Sequence, residues 1–125
     1  MTLGEIKYEV MFQTNNDSDD VEDYVPYLLD YINDGYDRLV YAWDSKHVPH
    51  EEYPRLMDDG DIPLTPEWTH YALVDWATWL IYRNGNPQKQ QRGFQFRNAF
   101  DEILSRITAE GGKKGKPSQF YNIPI

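Results

Sequence analysis

Apolar residues recur along this chain in four stretches, and in each the spacing predicts a helix. From Leu3 to about Thr14, Leu3, Ile6 and Val10 share one helical face, although Ile6, Tyr8, Val10 and Phe12 also alternate as a strand would. Thr2-Leu3-Gly4-Glu5 tips the reading to helix, because Thr2 can accept from the backbone while Glu5 reaches back, a capping box. The second stretch runs to about Asp44, with Pro26 tolerated in its first turn. Val25, Leu28, Leu29, Ile32, Tyr36, Leu39, Val40 and Trp43 form its apolar stripe, and Asp30, Asp34, Asp37 and Asp44 fall opposite, with Tyr27 and Tyr41 beside them. Gly35 lies at the margin of the stripe. Glycine in mid-helix costs roughly 1 kcal/mol against alanine, and a close helix approach would explain it.

In the third stretch Thr65 can cap, with Pro66 at the first position and Glu67 near the positive end. From Trp68 to Asn84 nearly every direction around the axis is apolar. Trp68, Ala72, Trp76 and Trp79 share one side, Leu73 and Leu80 continue it, and Val74, Ala77 and Ile81 cover the back. A helix apolar all round is a buried one, so this is the expected central helix. Asp75 within it must find partners and reads as a structural or interface carboxylate. In Asn84-Gly85-Asn86-Pro87, Gly85 is expected to be left-handed past the helix end, Asn86 to cap and Pro87 to start the next helix. So short a connection makes the two helices antiparallel neighbours. On the fourth helix Phe96, Ala99, Phe100, Ile103, Leu104 and Ile107 form the stripe. Phe94 points the other way, among Gln90, Gln91, Asn98 and Asp101, and is the first candidate for an interface anchor.

Between the second and third helices, Ser45 to Leu64 carries three prolines and no helical period. A connection of that length is usually functional or packed as a flap, with Tyr53, Leu56, Met57 and Ile62 able to pin it. After Gly111-Gly112 come Lys113-Lys114-Gly115-Lys116 and then Pro117 to Ile125, with Phe120, Tyr121, Ile123 and Ile125. This stretch is more apolar than most termini. A basic linker followed by aromatic, proline and isoleucine suits an arm that docks as an extended peptide on a neighbour; folding back on its own domain is the competing reading. The expected architecture is all-α: a small antiparallel bundle of about four helices over residues 1–112, with a long flap and an extended tail over 113–125.

At 125 residues the chain is sized for one domain with a real core. It has no cysteine, which removes disulfides, thiolate metal sites and thiol catalysis. No stretch approaches the roughly 18 apolar residues of a membrane span, and a soluble intracellular protein is expected. The net charge of -9 argues against simple nucleic-acid binding. It is also uneven: residues 1–62 hold sixteen Asp/Glu against four Lys/Arg, and residues 63–125 hold five against eight. Such a chain can attract copies of itself head to tail.

Candidate chemistry is thin. His47, His50, Glu51 and Glu52 crowd the flap, but their spacing matches no helical zinc motif, and a third ligand such as His70 would have to arrive by chance. The acidic runs at 15–23 and 58–61 lack the acid spacing of a calcium loop. There is no glycine-rich phosphate loop and no nucleophile elbow. The expectation is a protein that is not an enzyme and takes no metal or cofactor.

Three segments together resemble a known family. Tyr27-Leu-Leu-Asp-Tyr-Ile-Asn-Asp-Gly-Tyr-Asp-Arg-Leu-Val40 resembles its second helix, Ile62-Pro63-Leu64 with Pro66-Glu67-Trp68-Thr69-His70-Tyr71-Ala72-Leu73 its third-helix start, and Tyr82 to Pro87 through Phe96 and Phe100 the hairpin that follows. The chain is similar, over roughly residues 3–108, to the head–tail connector (adaptor, or head-completion) proteins of tailed bacteriophages. That resemblance implies a helical bundle forming a ring beneath the portal vertex, commonly with the portal's twelvefold symmetry. The ring would extend the DNA channel and receive the next tail component. It implies residence at the head–tail junction of the virion, after synthesis in the bacterial cytoplasm. The 113–125 tail carries over as the arm that docks on the portal or a neighbour, through Lys113, Lys114, Lys116, Phe120, Tyr121, Ile123 and Ile125. The flap is longer than the family pattern. Packaged DNA would pass without sequence-specific binding, and an acidic ring lowers adhesion to phosphate. Expected contact residues are Asp30, Asp34, Asp37, Tyr41 and Asp44 on the second helix and Gln91, Phe94, Asn98 and Asp101 on the fourth. The alternative is an acidic inhibitor or DNA mimic, monomeric or dimeric, whose Asp30, Asp34, Asp37 and Asp44 imitate phosphates to a basic partner.

Overall fold

Two reciprocal hydrogen bonds start the first helix: Thr2 N donates to Glu5 Oε1 at 2.8 Å, and Glu5 N donates to Thr2 Oγ1 at 3.1 Å. The capping box is therefore formed, and these bonds hold the Glu5 carboxyl below its usual range. The computed structural model describes residues 1–14, 24–43, 55–57, 60–62 and 69–109. The fold is all-α, with helices α1 (Leu3–Thr14), α2 (Leu28–Trp43), α3 (His70–Arg83) and α4 (Pro87–Ala109). Among the described residues there is no strand, only one antiparallel bridge between Thr2 and Asp61.

α3 is the axle. It packs against α1, α2 and α4, and Ala72, Leu73, Val74, Trp76, Ala77, Trp79 and Leu80 are all buried. α1 runs parallel to it, with the Met1 amino group 2.8 Å from His70 Nδ1 at one end and Tyr82 Oη donating to Gln13 O at 3.3 Å at the other. α2 and α4 run the opposite way, which makes an up-down-up-down bundle. Leu3, Ile6 and Val10 are completely buried. That burial holds a twelve-residue helix that would be marginal alone.

Several details depart from expectation. Pro26 sits in a 3₁₀ turn, Val25–Tyr27, ahead of α2. The tighter winding turns Val25 out of the apolar stripe, and it is exposed. Tyr24 is buried in its place, its hydroxyl 2.5 Å from Thr14 Oγ1. Leu56 and Ile62 pin the flap as expected, but Met57 is 78% exposed. Asn33, buried on α2, holds this piece of flap: its Nδ2 donates to Leu56 O at 3.0 Å, and Leu56 N donates to its Oδ1 at 2.8 Å. Tyr53, Thr65, Pro66, Glu67 and Trp68 lie outside the described residues. α3 begins after Thr69, which makes no side-chain cap bond.

In the α3–α4 connection Asn86 Oδ1 accepts from Lys89 N at 2.9 Å, the expected cap. Gly85 does not take the left-handed conformation expected of it. The preceding Asn84, at φ -84° and ψ 1°, begins the reversal, and Gly85 N donates to Tyr82 O at 3.0 Å. On α4, Phe100 and Ile107 are buried, while Phe96, Ala99, Ile103 and Leu104 are half-buried. No helix among the described residues is long and apolar enough to cross a membrane.

Candidate interaction surface

Trp76 lies under the seam between α2 and α4, and polar groups converge on its indole. Its Nε1 donates to Asp34 Oδ2 at 2.6 Å. Arg38, one turn further along α2, donates from Nε to the same oxygen at 3.1 Å and lies 4.4 Å above the Trp76 ring. From α4, Arg97 lies 5.4 Å from that ring and 5.7 Å from the Trp79 ring, and it pairs with Asp101 at 3.5 Å. Gly35 makes the close approach possible, since a Cβ there would stand 3.0 Å from Trp76 Cδ1. The expected helix contact at Gly35 is thus found.

The seam continues along α4. Phe94 is 47% exposed and stacks on Trp79 with centroids 5.3 Å apart. It is therefore half anchor and half cover, rather than an aromatic alone on a polar face. Gly93 beside it is buried, and a Cβ there would stand 2.9 Å from both Trp79 Cε3 and Tyr82 Cβ. Neither the stack nor Gly93's role was readable from helix phase alone, because both depend on which α3 side chains face α4. Gln91 and Asn98 are exposed on α4.

Expected contact residues of the second and fourth helices thus meet on one face. Asp34, Asp37 and Tyr41 from α2 and Phe94 and Asp101 from α4 border one face, with Trp76 and Trp79 beneath. The acid residues of α2 are not equivalent. Asp30 pairs with Arg55 and so ties down the flap. Asp34 is half-buried and bonded to Trp76, not on a purely solvated face as its helical phase implied. Asp37 is exposed and has no polar partner among the described residues. Asp44 lies outside the described residues, as do Lys113, Lys114, Lys116, Phe120, Tyr121, Ile123 and Ile125. The ion pairs here are half-exposed and contribute little to stability. They set the charge pattern of the face.

At one end the seam opens into a groove of about 520 Å³. α2 contributes Asp34, Asp37, Arg38, Tyr41 and Ala42, and α4 contributes Leu104 and Thr108. A smaller hollow of about 330 Å³ adjoins it, sharing Leu104 and Thr108 and reaching Ala109, the last residue of α4.

A second exposed surface lies on α1. Tyr8 and Phe12, at i and i+4, are 58% and 65% exposed, with ring centroids 6.4 Å apart, and Met11 is exposed beside them. The sequence did carry this signal. The alternation of Ile6, Tyr8, Val10 and Phe12 marks a helix apolar on two faces, one for the core and one outward.

Asp75 is half-buried, with no polar partner among the described residues, and desolvation raises its carboxyl to about 6. Burial, with the Asp37 charge beside it, raises the Tyr36 phenol to about 12. Among the described residues no three His, Cys, Asp or Glu side chains gather to hold a metal. His70 is buried against the Met1 amino group, while His47, His50, Glu51 and Glu52 lie outside the described residues. Searches against protein-family models, curated proteins and solved structures find no match.

Proposed function

We propose that this chain is a structural subunit of a bacteriophage head–tail connector, assembling as a ring that docks under the portal, extends the DNA channel and receives the next tail component. The observation that carries this reading is the pair of unlike exposed surfaces on one small bundle. The α2/α4 face is charged and carries Phe94. The α1 face is aromatic and belongs to a helix that packs on α3. Two different patches suit a heterologous, head-to-tail contact, and such contacts close into rings when the rotation per subunit allows. The family resemblance supplies the setting, and residues 113–125 supply the arm toward the portal or a neighbour.

The DNA-mimic reading is weaker. Of the three described aspartates on the acid side of α2, Asp30 and Asp34 are paired with arginines, and only Asp37 is without a polar partner among the described residues. The described residues of α2 do not present a row of free phosphate-like charges.

Heterologous contact has a direct test. Phe94→Asp blocks one face and the Tyr8→Asp/Phe12→Asp pair blocks the other. Neither variant alone assembles, but a mixture forms dimers through the remaining intact faces and goes no further. If the mixture behaves as either variant alone, the two faces are not partners.

A further inference from the structure

We propose that Asp75 of one subunit receives the Arg83 guanidinium of the next, so that an ion pair between two copies of this chain locks the heterologous contact. The inference rests on the ring reading and names the pair that gives the contact its direction. Its site is a valley on the open side of the bundle. α1 and α4 each pack on α3 but hardly touch one another. Tyr82 lies between them: its hydroxyl donates to Gln13 O on α1, and its ring stacks on Phe96 of α4 with centroids 5.7 Å apart. Asp75 is two turns back on the same face of α3, and Tyr71 is one turn further. Tyr82 is buried, Asp75 half-buried and Tyr71 56% exposed, so the valley is closed at Tyr82 and opens toward Tyr71. Asp75 has no polar partner among the described residues, and burial alone shifts its titration. A half-buried carboxylate with a tyrosine ring one turn away suits a guanidinium, which can take both carboxylate oxygens and stack on the ring.

Arg83 supplies that group from the other surface. It follows Trp76 by seven residues, so it belongs to the stripe of α3 beneath the α2/α4 seam, and it is exposed. Arg38, Arg55 and Arg97 are held by Asp34, Asp30 and Asp101. Arg83 has no polar side-chain partner among the described residues. Asp75 and Arg83 stand about 12 Å apart along one helix axis and do not pair within the subunit. One surface thus offers an acid without a counter-charge and the other a cation without one, and a second copy brings them together.

The test uses the mixture of Phe94→Asp and Tyr8→Asp/Phe12→Asp chains, in which a single contact forms, with its Kd read by sedimentation velocity. In that dimer the Phe94→Asp chain supplies Asp75 and the other chain supplies Arg83. Asp75→Asn in the Phe94→Asp chain weakens the dimer about tenfold, a scale between exposed and buried ion pairs. The same change in the other chain leaves Kd as it was. Arg83→Gln shows the opposite pattern. Asp75→Arg in the first chain with Arg83→Asp in the second recovers most of the loss, and circular dichroism is the same throughout. A dimer indifferent to these changes, or weakened equally whichever chain carries them, overturns the pair and leaves the ring reading standing. A mixture that forms no dimer overturns both.

Discussion

Asn33 holds Leu56 by both of its backbone groups, accepting from its N–H at 2.8 Å and donating to its carbonyl at 3.0 Å, while also donating to Leu29 O at 3.0 Å. One buried amide thus fastens the flap to α2 as a neighbouring strand would. Asn33→Ala leaves a buried N–H and a buried carbonyl unpaired, and the expected loss is about 2 kcal/mol or more. Urea denaturation measures it, and faster proteolysis near Leu56 should accompany it.

Asp34 is a structural acceptor as much as a surface charge. Asp34→Ala strands the Trp76 indole N–H, whose ring is almost wholly buried, and should cost about 1–3 kcal/mol. Asp34→Asn keeps an acceptor and should lose less than half of that. Arg38→Ala removes only an exposed partner and should stay under about 1 kcal/mol. The order of the three denaturation midpoints is the check.

Gly85 in the α3–α4 turn and Gly93 inside α4 should both resist alanine. At Gly93 the added methyl meets the Trp79 ring and the Tyr82 Cβ, which have no room to move. Overpacking there is expected to cost about 1–3 kcal/mol despite alanine's better helix propensity. At Gly85 it meets Lys89 Cδ at 2.7 Å and Lys89 Cβ at 2.8 Å, and the Cβ is fixed to the α4 backbone. That change should also cost about 1–3 kcal/mol, and urea denaturation of the two variants checks both.

Asp75 should make stability depend on pH. Its folded carboxyl titrates near 6 against 3.8 unfolded, so between those values the folded state binds more protons. Stability from this group is therefore greatest below about 4, falls as pH rises through 6, and the penalty is full at neutral pH. Asp75→Asn should raise the melting temperature at pH 7 and leave it unchanged below pH 4.

Much of the fold was legible because it rests on local pattern. The Thr2/Glu5 box, the Leu3-Ile6-Val10 face and the all-apolar α3 are properties of spacing alone. What spacing could not give is the rotation of one helix against another. Asp34 lies opposite the α2 stripe in phase, yet the close approach at Gly35 brings Trp76 within reach of it. Phe94 lies on the polar side of α4, yet Gly93 lets Trp79 come beneath it. The 3₁₀ turn at Pro26 shifted the phase of Val25 for the same kind of reason. The exposed pair on α1 was visible but ambiguous, since a two-faced helix and a strand share its alternation.

The central claim is assembly on a portal. Negative-stain images of the full chain mixed with bacteriophage portal rings, taken from the phage proposed to carry it, test it most directly. The expected result is an added ring of density, coaxial with the portal and on its outer face, absent for Phe94→Asp and for Tyr8→Asp/Phe12→Asp although both remain helical. Portal particles that look the same with and without the chain, at concentrations where the chain is folded, would contradict it.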